Sequence, residues 1–454
     1  MQGKWRENLI KIKPYVAGEQ SNDKDMIKLN ANENPYPPSP QVKKVFEKYA
    51  QNSDGLKKYP NSDSIILKDA IAQRYNVNRN NVFVGNGSDD VIALSFMAFF
   101  NSDKPILYPD ITYSFYPVWC SLIKIPYKTI PVDENFEIHA EDYYTENGGI
   151  IIPNPNAPTS ICKPLDFVID IVEHNPDSVV IIDEAYVDFG GESAVELTKK
   201  YENLLVTQTF SKSRSLAGMR IGFAIGSEEL IATLETVKNS YNSYVMDSIA
   251  LEVGTASVND EEYFKKCVNK VIATRERVRE ELIALGFDVK KSATNFLFAT
   301  HNKYSAKEIF EYLKTKKIFI RYFNVPRIDN YLRISIGRDE EMDKMIAQKA
   351  SKLKLMARSA KTAKKNIKVV VKGDLKAITD AGYTVKYRFY RSTKKAAGYK
   401  AAVTKKTAVY TNTSGKKGTK YFYKVQVRAY DENGKLTAKT ALKQCKYASR
   451  IWTK

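Results

Sequence analysis

Lys212 and Arg220 stand eight residues apart in the stretch Thr209–Gly222, TFSKSRSLAGMRIG, with mostly small residues between them. Two cations held this close repel, so either an anion lies between them or the stretch is a solvated turn joining two strands. Ser211 would add a hydroxyl donor, and a guanidinium offers fixed, paired donors that suit phosphate. A lysine amine kept beside another cation and out of water is nucleophilic enough to form a Schiff base with a carbonyl. Thr209 closes the apolar run NLLVTQT that leads into these residues.

Other strand-like runs also end in residues that could do chemistry. Asp183 ends SVVIID, and Tyr186 follows one turn later. A carboxylate there can hold a pyridinium nitrogen protonated, although Asp is also a common helix cap and on that feature alone capping is the simpler reading. In VGNGSDD (84–90), Gly87 and Ser88 follow a strand and open a helix. Glycine there lets backbone amides approach a phosphate, and the helix N-terminus favours the anion. A Schiff-base lysine, an acid for a ring nitrogen and donors for a phosphate are together what pyridoxal 5'-phosphate requires of a protein. Arg321 in IFIRYF and Arg333 in YLRISIG add two strand-borne cations. Taken alone they read equally well as solvated charges, since most arginines are exposed.

These residues need a scaffold that brings strand ends together. NVFVG, KPILYPD, GGIIIPNP, SVVIIDEAY and NLLVTQTFS read as short buried strands, with helical spacing in DDVIALSFMAFFN and CKPLDFVIDIVEHN between them. Strands alternating with helices imply βαβ units and a mostly parallel sheet, with ligands beyond the carboxyl ends of the strands. Helical sequence then runs from about 227 to 286, and NFLFAT, IFIRYF and YLRISIG supply a smaller sheet. The expected α/β organisation is an N-terminal arm (1–35), a large domain (36–245), a small α+β domain (246–356), a basic linker (357–366) and an all-β sandwich (367–454).

The bulk numbers agree with a large, multidomain chain. For 454 residues, 43% of them hydrophobic and 27% charged, about three domains are expected. No apolar run approaches the ~20 residues of a membrane span. The N-terminus, MQGKWRENLIKIKPYV, has no signal-peptide pattern, so a cytoplasmic location is the default. Cys120, Cys162, Cys267 and Cys445 are scattered and only three histidines are present, which argues against a metal site or a disulfide framework. The net charge of +19 is uneven. Residues 351–454 hold 28 Lys and Arg against 4 Asp and Glu, leaving 43 against 48 for residues 1–350. An ordinary, slightly acidic body therefore carries a very basic tail.

LNANENPYPPSP, KYPN, GNGSDD, YPDITYSFY, PNPNAPTS, DEAYVDF, SKSRSLAGMRIG and YLRISIG, in this order over residues 5–355, resemble the fold-type I pyridoxal-phosphate aminotransferases, and among them the histidinol-phosphate aminotransferases. The resemblance implies that Lys212 is the Schiff-base lysine and proton shuttle, Asp183 the partner of the ring nitrogen and Tyr186 a donor to the ring 3-oxygen. It implies that Tyr113 stacks on the ring, while Gly87, Ser88, Thr209, Ser211 and Arg220 surround the phosphate. Tyr59 would reach the cofactor of a second copy in a homodimer. Arg333 and Arg321 would bind the carboxylate of glutamate and the phosphate of histidinol phosphate, with Tyr15 and Asn32 on an arm over the substrate. The implied reaction is ping-pong transamination between histidinol phosphate and 2-oxoglutarate in histidine biosynthesis. Alanine at 157 departs from the usual NPNNPTG pattern, so Asn156 replaces the ring-oxygen asparagine from one position earlier or Tyr186 makes that contact alone.

Three alternatives share parts of this pattern. An aromatic amino-acid aminotransferase or a threonine-phosphate decarboxylase would keep the same cofactor residues. A degenerate scaffold that binds through its tail would not need them. The tail itself, with its alternating strands and GTKYFYKVQVRAY, resembles a fibronectin type III-like module. Its interleaved basic and aromatic residues could bind nucleic acid, but a sheet with one solvated face is the simpler reading.

Overall fold

The computed structural model describes residues 7–15, 19, 23, 25–351, 356–361, 367–372, 379, 383–394, 398–407, 409–412, 420–439 and 443–451. Two compact units divide the chain: Met1–Arg277, Val289–Thr300 and Ser305–Arg338 form the first, and Val278–Asp288, His301–Tyr304 and Asp339–Lys454 the second. No helix among the described residues is long and apolar enough to cross a membrane.

In the first unit, a short strand β1 (Ile27–Leu29) precedes seven more: β2 (Val82–Gly85), β3 (Ile106–Pro109), β4 (Tyr127–Ile130), β5 (Ile150–Pro153), β6 (Val180–Asp183), β7 (Leu204–Thr209) and β8 (Gly222–Ile225). These seven form one sheet in the order β2–β8–β7–β6–β5–β3–β4. Strands β3 to β7 run parallel, whereas β8 is antiparallel to both β2 and β7. Strands β5, β6 and β7 are buried along their whole length, which is why they read as continuous apolar runs rather than alternating ones. The two faces still separate by the period of two. Ile150, Ile152, Val180, Ile182, Leu204 and Val206 join one core cluster, and Ile151, Ile181 and Leu205 join the other. The crossover helices Ser88–Phe99, Tyr116–Ile123 and Leu165–Glu173 start beyond the carboxyl ends of β2, β3 and β5.

A second sheet comes from the later chain. After β9 (Phe287–Val289), strands β10 (Phe296–His301), β11 (Ile318–Tyr322) and β12 (Leu332–Ser335) assemble with β1 in the order β1–β11–β12–β10. Antiparallel pairing of β11 with β12 sets Arg321 directly opposite Arg333. The helix Ala306–Lys314 leads into β11. Ser305 and Glu308 close a capping box at its start, and Ala306, Ile309 and Leu313 form its buried stripe.

The second unit contains the helix Asp339–Ser351 and, among the described residues beyond it, the strands β13 (Met356–Lys361), β14 (Ile367–Lys372), β15 (Thr384–Ser392), β16 (Lys400–Lys405), β17 (Val409–Asn412), β18 (Lys420–Tyr430), β19 (Leu436–Lys439) and β20 (Lys443–Ile451). One sheet runs β13–β14–β17, the other β16–β15–β18 with β19 and β20 both on β18, and every pair is antiparallel. The expected linker over 357–366 needs correcting in part, because β13 occupies its first half and pairs residue for residue with β14. Small and charged residues in MARSAK hide that strand from a hydrophobic pattern. Residues 362–366 lie outside the described residues.

Candidate active site

The carboxyl edge of the seven-stranded sheet gathers most of the chemistry. Gly87 and Ser88 follow β2, Tyr113 follows β3, Asp183 ends β6 with Tyr186 just beyond, and Ser211 and Lys212 follow β7. Arg220 joins them because β8 runs the other way. Thr209 at the end of β7 pairs with Gly222 at the start of β8, so the intervening loop leaves and returns at the same edge. This topology brings Lys212 and Arg220 together.

The seat for an anion is built by close approach. A Cβ on Gly222 would sit 2.3 Å from the amide nitrogen of Ser88, so only glycine lets β8 pass the helix start. Gly87 has φ +88°, and a Cβ there would meet Nη2 of Arg220 at 2.6 Å. Arg220 Nη1 lies 3.5 Å from Ser211 Oγ. The first-turn amides of the helix Ser88–Phe99 complete a donor set that favours an anion. Asp89 also touches this seat: its Oδ2 accepts from Arg220 Nη2 at 3.2 Å and its Oδ1 from the Tyr113 hydroxyl at 2.9 Å.

Asp183 is 5% exposed. Burial pushes its carboxyl up to about 6, against hydrogen bonds from the Tyr116 hydroxyl (2.9 Å) and the Ala185 amide (3.2 Å) that favour the charged form. A buried carboxyl in this state gains from a nearby cation. The next residue, Glu184, is also buried and is pushed up to about 7 by burial, while Ser193 Oγ, Ala194 N and Gln208 Nε2 donate to it.

A cleft of about 270 Å³ opens above these groups. Lys212 lines it, with Nζ 5.7 Å from the Tyr186 ring centroid, and Tyr113, Tyr186, Ala157, Arg321 and Arg333 line it too. Asn32 donates from Nδ2 to the Tyr186 hydroxyl at 2.8 Å, and Ser335 Oγ donates to Asn32 Oδ1 at 3.0 Å. Tyr15 also lines the cleft, its ring stacked on Phe115 at 4.8 Å and 6.3 Å from that of Tyr113. Arg333 donates from Nη2 to the Asn30 carbonyl at 3.0 Å, while its buried Nε has no partner among the described residues. Burial and the neighbouring Arg321 both lower its affinity for its proton. Two arginines directly opposite on paired strands repel, so an anion taken between them would be strongly held.

Gly87, Ser88, Ser211 and Arg220 of the anion seat and the buried Asp183 do not line the cleft, and three further expected site residues belong to neither group. Asn156 is 1% exposed; its Nδ2 donates to the Ile111 carbonyl (2.9 Å) and Thr159 Oγ1 (3.1 Å), and its Oδ1 accepts from Thr112 Oγ1 (3.0 Å). Both amide protons are thus engaged in the loop, and Ala157 and Pro158 face the cleft in its place. Thr209 is buried and accepts from the Ser211 amide at 3.1 Å, shaping the turn before Lys212. Tyr59 is 81% exposed and stacks on Tyr244 at 4.6 Å. Conversely, Tyr116 and Asp89 belong to the site without having been expected there. Tyr116 hides in the apolar helix start YPVWC, and no local spacing ties it to Asp183. Asp89 sits in a motif whose glycines drew the attention.

These residues fit pyridoxal 5'-phosphate. The glycine cradle and Arg220 suit its phosphate, the buried Asp183 its ring nitrogen, the Tyr113 side its ring face, and Lys212 its aldehyde. Residues 24–349 match the family Aminotransferase class I and II. The histidinol-phosphate aminotransferase of Lactococcus lactis subsp. cremoris is 53% identical over 342 residues, covering 75% of this chain and 96% of its own. That of Acinetobacter baumannii is 51% identical over 343 residues, covering 75% and 95%. Among solved structures, the histidinol-phosphate aminotransferase of Sinorhizobium meliloti in complex with pyridoxal-5'-phosphate aligns with a TM-score of 0.65 at 23% identity, over 71% of this chain and 89% of that one. The likeness to that structure establishes the fold.

Proposed function

The chain belongs to the class I and II aminotransferases, a pyridoxal-phosphate-dependent family, and on that premise we propose that it transfers the amino group of L-histidinol phosphate to 2-oxoglutarate, giving imidazole acetol phosphate and glutamate. The observation that carries the substrate reading is the facing pair Arg321 and Arg333, which line the same cleft as Lys212. Both amino donors in this reaction bear an anion next to the reacting carbon, the phosphate carried on a methylene in histidinol phosphate and the α-carboxylate in glutamate. The two curated relatives described above are named for this reaction.

Bound in this seat, pyridoxal phosphate would supply an aldehyde for the amino group and an electron-withdrawing ring. Lys212 Nζ is the base that takes this proton from the substrate α-carbon and returns it on the cofactor side. Asp183, oriented by Tyr116, holds a proton at the ring nitrogen. Arg220, Ser211 and the amides at Gly87 and Ser88 would hold the phosphate, and Tyr186, whose hydroxyl accepts from Asn32, would donate to the ring oxygen. Arg333 and Arg321 take the substrate anion, while Tyr15 and Tyr113 exclude water from the cleft.

A homodimer in the cytoplasm is part of this reading. Tyr59 and Tyr244 leave a stacked aromatic pair in solvent, and a second copy would cover it and bring Tyr59 to the neighbouring cofactor. The antiparallel strands that follow residue 351 support a fibronectin type III-like module, with Phe389 of one sheet 5.4 Å from Tyr410 of the other. The test is direct: full-length protein loaded with cofactor is given histidinol phosphate and 2-oxoglutarate, and glutamate is quantified. Glutamate formation that needs both substrates supports the proposal. Its absence, with turnover of phenylalanine or carbon dioxide release from threonine phosphate, replaces the substrate and keeps the cofactor chemistry.

A further inference from the structure

The cleft has two walls of different origin. Arg321 and Arg333 stand on β11 and β12, whereas Thr112 and Tyr113 follow β3. Whatever fixes one wall against the other sets the separation between the bound anion and the cofactor ring. The loop joining β11 to β12 passes through Arg327, whose guanidinium makes three bonds to the other wall. Nη1 donates to Asp110 Oδ2 at 2.9 Å, and Nη2 donates to the carbonyls of Val132 and Asp133, each at 2.7 Å. Asp110 directly follows β3 and leads through Ile111 and Thr112 to Tyr113. Its second oxygen accepts from the Val132 amide at 3.0 Å.

Backbone conformation marks the same residue. Arg327 has φ +72°, a left-handed value that costs a side-chain-bearing residue and persists only where the surroundings impose it. Apolar packing seats the rest of the loop on the same side. Ile328 is buried, and Tyr331, stacked at 4.5 Å on Phe298 of its own wall, meets Phe136 edge-on at 5.0 Å across the gap. Packing of this kind resists separation of the walls but slides readily, whereas a fork of three directional bonds fixes register.

We propose that Arg327 is a positioning residue for the substrate: by fastening the β11–β12 loop to Asp110 and the Val132–Asp133 carbonyls, it holds Arg321 and Arg333 at the distance from Tyr113 that a phosphate- or carboxylate-bearing amino donor requires. This rests on the function proposed above. Arg327 touches neither substrate nor cofactor, so removing it changes how well the anion end and the reacting end are satisfied together. A displacement of about 1 Å is enough to cost up to ~10²-fold in such a system.

The experiment compares wild type with Arg327→Ala, Arg327→Lys and Asp110→Asn, all as full-length holoenzyme. For Arg327→Ala, the KM values for histidinol phosphate and 2-oxoglutarate should rise together, by about tenfold, with cofactor affinity unchanged. Arg327→Lys keeps the charge but loses the fork, so it should fall between wild type and Arg327→Ala. Asp110→Asn should shift KM in the same direction, and adding it to Arg327→Ala should give less than the product of the two effects. If only the melting temperature falls while both KM values hold, the residue is structural and the proposal is overturned. Loss of cofactor affinity would overturn it too. Titration of the wild-type holoenzyme with histidinol phosphate, with and without 2-oxoglutarate, separates this proposal from the functional one. Binding of histidinol phosphate with no glutamate formed when 2-oxoglutarate is also present refutes the reaction while the variants still test the latch through their dissociation constants, and no binding refutes both.

Discussion

At the residue scale, the cationic pair in TFSKSRSLAGMRIG is reconciled by two different partners. Arg220 faces Asp89 and the glycine cradle, while Lys212 turns toward the Tyr186 ring. Lys212→Ala should abolish the near-visible absorbance of the covalently held cofactor and lower turnover by at least about 10³-fold, read by spectroscopy and steady-state assay. The raised carboxyls give a signed prediction for the cofactor-free protein. Folded-state values of about 6 for Asp183 and about 7 for Glu184, above ordinary values of 3.8 and 4.5, mean that the folded state holds these protons more tightly. Their contribution to stability is fully present below about pH 4 and is lost as pH rises through 6 and 7, on the order of 3 kcal/mol each. Asp183→Asn and Glu184→Gln should therefore flatten the loss of stability between pH 4 and 7, measured by denaturant unfolding at each pH. Lys212, Asp183 and Arg220 were legible in the sequence because each closes or follows a buried run that could only be a strand. Tyr116 and Asp89 were not, since their partners lie 67 and 131 residues away in the chain.

At the scale of elements, the site depends on one reversed strand. Antiparallel β8 returns the chain to the edge where β7 ended, and Gly222 lets it pass the helix that starts at Ser88. Gly222→Ala should push that helix start away from Arg220, cost roughly 1–3 kcal/mol by overpacking, and weaken cofactor binding more than substrate binding. Thermal unfolding and cofactor titration would show both. The parallel strands were readable from their apolar runs and Gly, Pro or Asn ends, but the direction of β8 was not, because GFAI carries no mark of its orientation. Asn156 shows the opposite failure. It sits in a motif of familiar spacing, yet its amide closes the loop through Ile111 and Thr159, a tertiary contact that spacing cannot reveal. The strand β13 was missed for a related reason: its pairing with β14 rests on backbone hydrogen bonds, and its side chains are too mixed to show a period of two.

At the scale of the whole molecule, chemistry and charge lie on different parts of the chain. The family match ends at residue 349, and the relatives at 51–53% identity are covered almost to their full length by 75% of this chain. The basic residues beyond 350 are additional to that body. A chain ended after Ser351 should keep the kcat and KM of the full protein and lose most of its retention on a cation exchanger. Impaired catalysis would show that the β-rich segment supports the enzyme. If two copies share the site, mixing inactive Lys212→Ala and Tyr59→Ala proteins should restore part of the activity, because one of the mixed sites then holds both native residues. Uneven charge made this division visible in composition alone.

The measurement that bears most directly on the central claim is a set of half-reactions followed by the absorbance of the bound cofactor. Holoenzyme is mixed separately with histidinol phosphate, glutamate, phenylalanine and threonine phosphate. Rapid conversion to the amino form of the cofactor by histidinol phosphate and glutamate, with phenylalanine slow, is the result expected of a cleft that Lys212 shares with the facing pair Arg321 and Arg333. Conversion by phenylalanine in preference to both anionic donors would contradict it.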